Sequence, residues 1–451
     1  MKKLGLAPAD WIYDNVHGYI PITETERRII DTKIFQRLRR ISHLGLASFV
    51  YPGATHTRFA HSLGALFVMD KMCESLIPQG YVNADDRHTL RLSALLHDIG
   101  QAPFSHVIDR LFSDEDKTAG HVQLGISLIR TSEIRDILSK DSFSVDEIEK
   151  MLLKRKGLEY PTYSDLLDSD MDVDKIDYLL RDSLHTGVTY GAVDAQRLLR
   201  TITADPEGGI AVQDRGKHAV ENLIIARYHM FQTVYWHKTV AAFELMLRRA
   251  YEELLKEPSS ERVVPDTQEV KKMCSDGSVD RFCRFDDASV FNAMRAYRGN
   301  NKFLTELVGM LWGRQRLKMT KEQIAFTEGQ ESQEEGKEEG KESTNDLFAM
   351  DLEEEAQKVC KKAGIAREWL FGLKISPTDF FSSSPVKVEK DGEFTRLDAD
   401  KTSIVSILAH RLYSTYRVYT KSEYSETLEG VIDDWLAERR GGSARALPGS
   451  S

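Results

Sequence analysis

Two histidines and two aspartates stand where helices are expected to end: His61, the adjacent pair His97-Asp98, and Asp174. Imidazole nitrogens with a few carboxylate oxygens suit a divalent transition ion and leave positions for water and a substrate oxygen. A single helix histidine is usually a core or surface residue, and a single aspartate is usually solvated. The pair in LSALLHDIG carries more weight, because it puts two polar groups beside leucines at the end of an apolar helix. Burial of that kind is costly unless the groups are paired or metal-bound. Asp174, Tyr178 and Asp182 stand four apart and share one helix stripe, with Val173, Ile176 and Leu180 on another side. That stripe is either a solvated face or the wall of a polar pocket, and the nearby His-Asp motif favours the pocket.

The elements that must carry these residues follow from apolar spacing. Residues 1–320 read mostly as helices, with stripes over 61–77 and 88–99 and further helical patterns at 122–138, 172–185 and 220–255. Asp85 or Asp86 is the expected N-cap of the 88–99 helix, and Gly100 and Pro103 end it. DPEGG at 205–209 reads as a turn between two brief extended pieces. The segment 327–346 has no apolar face to bury and is expected to be a flexible loop. Beyond it, strands are expected at 369–373, 386–397 (turning at Asp391-Gly392) and 416–421, flanked by helices at 351–363, 402–412 and 422–438. The expected fold is mainly α: a helical core over 1–320, an acidic segment 321–350, a smaller α+β subdomain 351–440 and a tail 441–451.

Composition narrows the class. The chain has 451 residues, 41% hydrophobic and 29% charged, which fits a globular protein and excludes a collagen-like or wholly disordered chain. No apolar run is long enough for a membrane helix, and Pro8 and Asp10 interrupt the first residues, so no signal peptide is expected. Cys73, Cys274, Cys283 and Cys360 show neither metal-ligand nor disulfide-framework spacing, which suits a reducing cytoplasm. The formal charge of −10 equals the excess within 328–355, so the rest of the chain is formally neutral. The basic run Arg27–Arg40 reads as a solvated face or subunit contact before a nucleic-acid contact.

The ordered blocks HGYIPIT (17–23), IIDTKIFQRLRRISHLG (29–45), YPGATHTRFAHSLG (51–64), LLHDIGQAPFSHVID (95–109), DVDKIDYLLRDSLHTG (172–187) and YWHK (235–238) resemble the HD-domain metal phosphohydrolases. More narrowly, the chain resembles their deoxynucleoside triphosphate triphosphohydrolase branch, over most of residues 11–250. The resemblance implies one divalent transition metal per subunit (Fe, Mn, Zn or Ni), with Mg on the nucleotide, held by His61, His97, Asp98 and Asp174. It implies His106, Asp109 and His121 as catalytic groups. Arg58, Lys175, Tyr178 and Arg227 match triphosphate contacts, Asp182 and Tyr235 match sugar and base contacts, and Leu44 matches a residue that packs near the sugar. His43 stands where relatives have a glutamine by the sugar, and Gln101 where they have a second histidine. Glutamine can hydrogen-bond a phosphate oxygen but supplies neither positive charge nor a proton.

The implied reaction is water attack on the α-phosphorus of a dNTP, releasing deoxynucleoside and triphosphate. Arginine and lysine would neutralise the phosphates, and His121 would protonate the leaving oxygen with His106 and Asp109 in support. Competing readings keep the metal but change the substrate to a nucleoside monophosphate, cyclic nucleotide or single-stranded nucleic acid, or keep only nucleotide sensing. Asp31, Gln36 and Arg39 match an effector site between subunits, and Lys238 a second one; Asp10 and Tyr13 depart from that pattern. The resemblance therefore implies a homo-oligomer, tetramer before dimer, with nucleotide effectors as an open expectation and no membrane partner. A sterile-alpha-motif module is not expected.

Overall fold

The computed structural model describes residues 7–153, 162–258, 263–326, 344–375, 386–409 and 413–443. The described chain opens on a hairpin where the spacing suggested helix: β1 (Asp10–Asp14) pairs antiparallel with β2 (Gly18–Ile22). Ile20 and Ile22 point into the core while Trp11, Tyr13 and Tyr19 face outward, the period-two pattern of a half-buried strand. Gly18 closes the turn at φ +73°, and Asp14 Oδ2 accepts the amides of Val16 and His17. Five-residue strands are too short for their alternation to stand out beside the helices.

The expected helix near 61–77 is Arg58–Leu76, buried on almost every side. A helix buried on nearly all sides is a central one, and its Arg58, His61 and Asp70 are buried with partners. Leu63 and Leu66 join one hydrophobic cluster, while Val68, Met69, Met72, Cys73 and Leu76 join another. Arg87–Leu96 and Val173–Thr186 pack against it. Asp86 precedes Arg87–Leu96 without capping it; its carboxylate instead accepts the Tyr163 hydroxyl at 2.7 Å.

Two long helical patterns break where polar groups take over the backbone. Ser132 accepts from the Ile134 amide, so 122–138 becomes His121–Thr131 and Glu133–Lys140. The 220–255 pattern becomes Lys217–Met230, one π-helical turn Phe231–Tyr235, and Lys238–Leu255, whose start His237 caps by accepting from Thr239 N. A π turn rotates the residues after it relative to an α-helix. Here it turns Tyr235 onto Asp182, at 2.7 Å.

The turn at 205–209 joins β3 (Ile202–Ala204) to β4 (Ile210–Gln213), as expected. Later come β5 (Lys318–Phe326), β6 (Phe371–Ile375), β7 (Lys387–Lys390), β8 (Glu393–Arg396) and β9 (Tyr413–Thr420). β7 and β8 form the hairpin expected at Asp391-Gly392, both at positive φ, and β7 pairs parallel to β4. A second sheet has the order β5-β9-β6. β5 was not expected: KMTKEQIAF is polar and short of large apolar residues, and β9 recruits it through a register running from Lys318↔Thr420 to Phe326↔Tyr413.

Of the expected acidic loop, 327–343 lies outside the described residues, and Thr344 already begins the helix Thr344–Ala363. Leu352, Ala356, Val359 and Cys360 of that helix pack against Leu428, Ile432 and Trp435 of Ser425–Ser443. Residues 444–451 of the expected tail also lie outside the described residues. The architecture is mainly α with a smaller C-terminal region of sheets. Among the described residues no helix is long and apolar enough to cross a membrane. The four cysteines are buried and free.

Candidate metal centre

His61, His97, Asp98 and Asp174, far apart in sequence, converge. His61 Nε2 lies 2.9 Å from Asp174 Oδ1, 3.3 Å from His97 Nε2 and 3.9 Å from Asp98 Oδ2. His97 Nε2 lies 3.6 Å from Asp98 Oδ2 and 4.0 Å from Asp174 Oδ1. These are separations that one small cation would bridge. The ring orientations fit as well: His97 Nδ1 donates to Ala94 O at 2.7 Å and His61 Nδ1 donates to Asp177 Oδ2 at 2.8 Å, leaving both Nε2 atoms for a ligand. Burial would lower the pKa of His61, but Asp174 and Asp177 outweigh it and hold the imidazole up at about 10. A proton thus occupies the place where a cation fits.

Gly64 makes this possible. A Cβ there would overlap Asp177 Oδ1 and Arg181 Nη2, so glycine lets the helices Arg58–Leu76 and Val173–Thr186 approach until Asp177 backs His61. Asp177 also accepts from His17 Nε2 at 2.7 Å and from Arg181 Nε at 2.8 Å, and Arg181 continues to Asp14 at 2.8 Å. Asp177, His17, Arg181 and Asp14 were missed in the sequence; the one signal was the i,i+4 spacing of Asp177 and Arg181, which also fits an ordinary surface pair.

A second group, His43, His56 and Asp182, has a metal-like composition. His56 Nε2 lies 2.7 Å and His43 Nε2 3.6 Å from Asp182 Oδ1, and Tyr235 donates to Oδ2 at 2.7 Å. Here the Nδ1 atoms of both histidines are buried without a hydrogen-bond partner. Binding a cation through Nε2 would put a buried, unsatisfied N–H on each Nδ1, at a cost of about 1–3 kcal/mol apiece. The His56 ring is better served by pointing Nε2–H at the carboxylate, so this group reads as His56 and Tyr235 donating to Asp182 with His43 packed beside them. His43 also packs on His61, with ring centroids 4.5 Å apart, which joins the two groups in one pocket. Leu44 packs beside it, half-buried.

On the other side, Arg58 Nη1 donates to Asp98 Oδ2 at 2.7 Å, Nε donates to Ser105 Oγ at 2.8 Å, and Nη2 lies 3.3 Å from His106 Nε2. Arginine only donates, so His106 accepts here and its proton sits on Nδ1. Desolvation by the pocket walls and then the Arg58 charge push the His106 pKa down, although its edge is exposed. His121 behaves oppositely. Burial would lower its pKa, but Asp109, 3.0 Å from Nδ1 and also accepting the His121 amide at 2.8 Å, holds it above the ordinary value. Gly100 makes room for this arrangement, since a Cβ on it would strike His121 O and Gly125. Phe104 and Ser105, just before His106, hold φ of 54° and 52°, strain of about 1–3 kcal/mol each. Gln101 is fully buried, and its amide donates to Asp98 Oδ1 at 3.2 Å.

The expected phosphate contacts are already paired. Lys175 Nζ lies 2.6 Å from Asp172 Oδ2, and Arg227 Nη1 lies 3.4 Å from Asp170 Oδ1 and also engages Tyr178. Tyr178 and Tyr235 meet edge-on, 6.0 Å between centroids. Of the expected effector residues, Gln36 accepts from Arg39 Nε at 2.8 Å and donates to Ile30 O, Arg39 caps the Phe59 ring, and Asp31 ends the neighbouring helix Glu24–Ile30. Lys238 stands exposed at the head of Lys238–Leu255. In the basic run, Arg37 is fully buried against the carbonyls of Phe285 and Gln101, and Arg28 and Arg40 pair with Asp141 and Asp286, which removes them from any open basic stripe.

Comparison with known proteins matches an HD domain over residues 58–182 and an HD-associated region over 193–443. An uncharacterised protein of Methanocaldococcus jannaschii is 42% identical over 242 residues, 53% of this chain and 48% of that protein. A Dictyostelium discoideum protein named deoxynucleoside triphosphate triphosphohydrolase SAMHD1 homolog is 30% identical over 257 residues, 54% of this chain and 49% of its own. The chain spans about half the length of these curated relatives. Its fold matches the crystal structure of a hypothetical protein from Aquifex aeolicus with a TM-score of 0.71 at 24% identity, over 94% of this chain and 99% of that one. The cluster at His61, His97, Asp98 and Asp174 lies wholly inside the matched HD domain, and the associated region accounts for more than half of the chain; this protein belongs to the family of HD-domain proteins that carry an HD-associated region.

Proposed function

We propose that this protein is a metal-dependent phosphohydrolase that converts deoxynucleoside triphosphates to deoxynucleoside and inorganic triphosphate. The carrying observation is that His97 Nε2 and one oxygen each of Asp98 and Asp174 lie 2.9–3.9 Å from His61 Nε2, beside Arg58 and two imidazoles of opposite protonation preference. The ligands of the ion would be His61, His97, Asp98 and Asp174, and its identity among Fe, Mn, Zn and Ni is left to measurement. When bound, such an ion polarises a phosphoryl oxygen and acidifies water.

The chain's own residues supply the rest. Arg58 neutralises phosphate charge from a position fixed by Asp98 and Ser105. Lys175 and Arg227 face the remaining phosphates, with Tyr178 between them. His121, kept protonated by Asp109, donates a proton to the departing deoxynucleoside oxygen. His106, neutral beside Arg58, holds that guanidinium in place. Asp182, held by the donors His56 and Tyr235 with His43 alongside, accepts from a sugar hydroxyl next to Leu44. Gln101 acts through Asp98. Asp31, Gln36, Arg39 and Lys238 remain the candidate effector contacts of a homo-oligomer, tetramer first.

The test is product identity. Purified protein is incubated with Mn²⁺, Fe²⁺ or Mg²⁺ and each dNTP and NTP, with and without GTP. Tripolyphosphate and deoxynucleoside are the expected products, and Asp174→Ala removes them. Orthophosphate or pyrophosphate would mean another reaction, and tight dNTP binding without turnover would mean a sensor.

A further inference from the structure

The helix Asp287–Ala296 belongs to the associated region, yet its first residue reaches the pocket's two loops. Asp287 Oδ2 accepts the Ser42 amide at 2.8 Å, and Oδ1 accepts the Phe104 amide at 2.7 Å. Ser105 Oγ closes the same junction by donating to Ser42 O at 2.6 Å. Ser42 immediately precedes His43, and Phe104 and Ser105 immediately precede His106. One carboxylate therefore ties together the loops that carry His43 and His106.

The Phe104–Ser105 turn needs such a tie. Both residues hold positive φ without being glycine, a conformation that persists only where surrounding contacts enforce it. Ser105 in turn receives Arg58 Nε at 2.8 Å, and Arg58 grips Asp98 and His106. We propose that Asp287 is a positioning residue for the HD pocket: by holding both loop amides it keeps the strained Phe104–Ser105 turn wound and so sets where His43, His106 and Arg58 stand. The associated region then supplies part of the pocket's rigidity. The consequence for turnover rests on the function proposed above; the structural part does not.

Asp287→Asn keeps the shape but leaves one acceptor for two amides. The experiment compares the full-length Mn²⁺-loaded proteins by hydrogen exchange, metal content and dNTP kinetics. Protection is expected to fall in peptides covering 40–46 and 102–107 and to stay unchanged elsewhere, with Mn²⁺ content retained. Turnover is expected to drop about ten- to a hundredfold in kcat, more than in KM, as for a misplaced reacting group. Asp287→Glu keeps two acceptors and is expected to recover part of both effects. Asp286→Ala, which removes the helix cap from Ser289 N and the partner of Arg40 but leaves both Asp287 oxygens and the Phe104–Ser105 turn untouched, should leave 102–107 protected. Unchanged exchange in both loops, faster exchange throughout the chain, or equal losses in the Asn and Glu proteins would each overturn the assignment. If the wild-type protein turned over no dNTP, the proposed function would fall while the exchange pattern would still decide the role of Asp287.

Discussion

Asp177→Asn exchanges one oxygen for an NH₂ group inside a fully buried network, and the contacts fix the consequence. Asp177 Oδ2 accepts from His61 Nδ1 at 2.8 Å and Arg181 Nε at 2.8 Å; Oδ1 accepts from His17 Nε2 at 2.7 Å and Arg181 Nη2 at 2.9 Å. With the new NH₂ toward His61, Nδ1 must give up its proton and become an acceptor, which fixes the remaining ring proton on the Nε2 that faces His97 and Asp174. With the NH₂ toward His17, His61 keeps its tautomer but loses the negative charge behind it. Either way a cation at Nε2 is weakened, by about 10–100-fold for loss of such a partner, or about 1.4–2.7 kcal/mol. Folding suffers less than in a bare deletion, because Arg181 keeps Asp14 at 2.8 Å and 3.2 Å. The cost should therefore fall below the about 3–5 kcal/mol of orphaning a buried charge. Mn²⁺ titration by calorimetry or chelator competition reads the affinity, with circular dichroism and a thermal melt checking the fold. A folded Asp177→Asn protein with wild-type Mn²⁺ affinity would refute the claim that Asp177 prepares His61 for a cation.

Gly64→Ala should push the two central helices apart, costing about 1–3 kcal/mol by urea denaturation and weakening Mn²⁺ binding. Gly430→Ala, on an exposed helix face with open space around it, should instead be neutral or stabilising by up to about 1 kcal/mol. Asp109→Asn removes what raises the His121 pKa; since the acid must be protonated, the alkaline limb of the kcat profile should move to lower pH, and an unmoved limb would exclude His121 as the acid. Because His61 holds its proton up to about 10, Mn²⁺ must displace it. Affinity should rise with pH between 6 and 8, by up to tenfold per unit for one proton released, and a flat profile would place the cation elsewhere.

The sequence pointed to the proposed ligands of the pocket more readily than to the groups that stand behind them. His97-Asp98 was legible because it is anomalous: two polar groups at the end of a leucine-rich helix. Asp174 and Asp182 were legible through helix spacing, and the resemblance added His106, Asp109 and His121. Asp177 stands among residues of equal polarity and gains meaning only when Gly64 allows a second helix against it. His56 and Asp287 were invisible for the same reason, since their partners lie 126 and 183 or more residues away. For Gln101, residue type suggested a phosphate contact, but its amide turns inward to Asp98. In the fold, long helices read well, while β5 did not, because its place depends on the edge that β9 offers and not on its own residues.

The three cations around the pocket each arrive with an aspartate: Arg58 with Asp98 at 2.7 Å, Lys175 with Asp172 at 2.6 Å and Arg227 with Asp170 at 3.4 Å. Charge balance of this kind is what lets half a dozen ionised groups share a secluded space, since an unpaired charge there would be costly. It also changes what binding a polyanion means. Phosphate oxygens would not meet waiting cations; they would compete with carboxylates that already satisfy them, and a cation drawing on Asp98 would loosen the first of those pairs. A ligand with one phosphate can compete at one pair only, whereas a triphosphate spans several and is compensated at each. On this view the aspartates at 98, 170 and 172 help the pocket discriminate by charge count as well as hold it together, and the triphosphate reading of the site rests on the number of such exchanges rather than on any single basic residue.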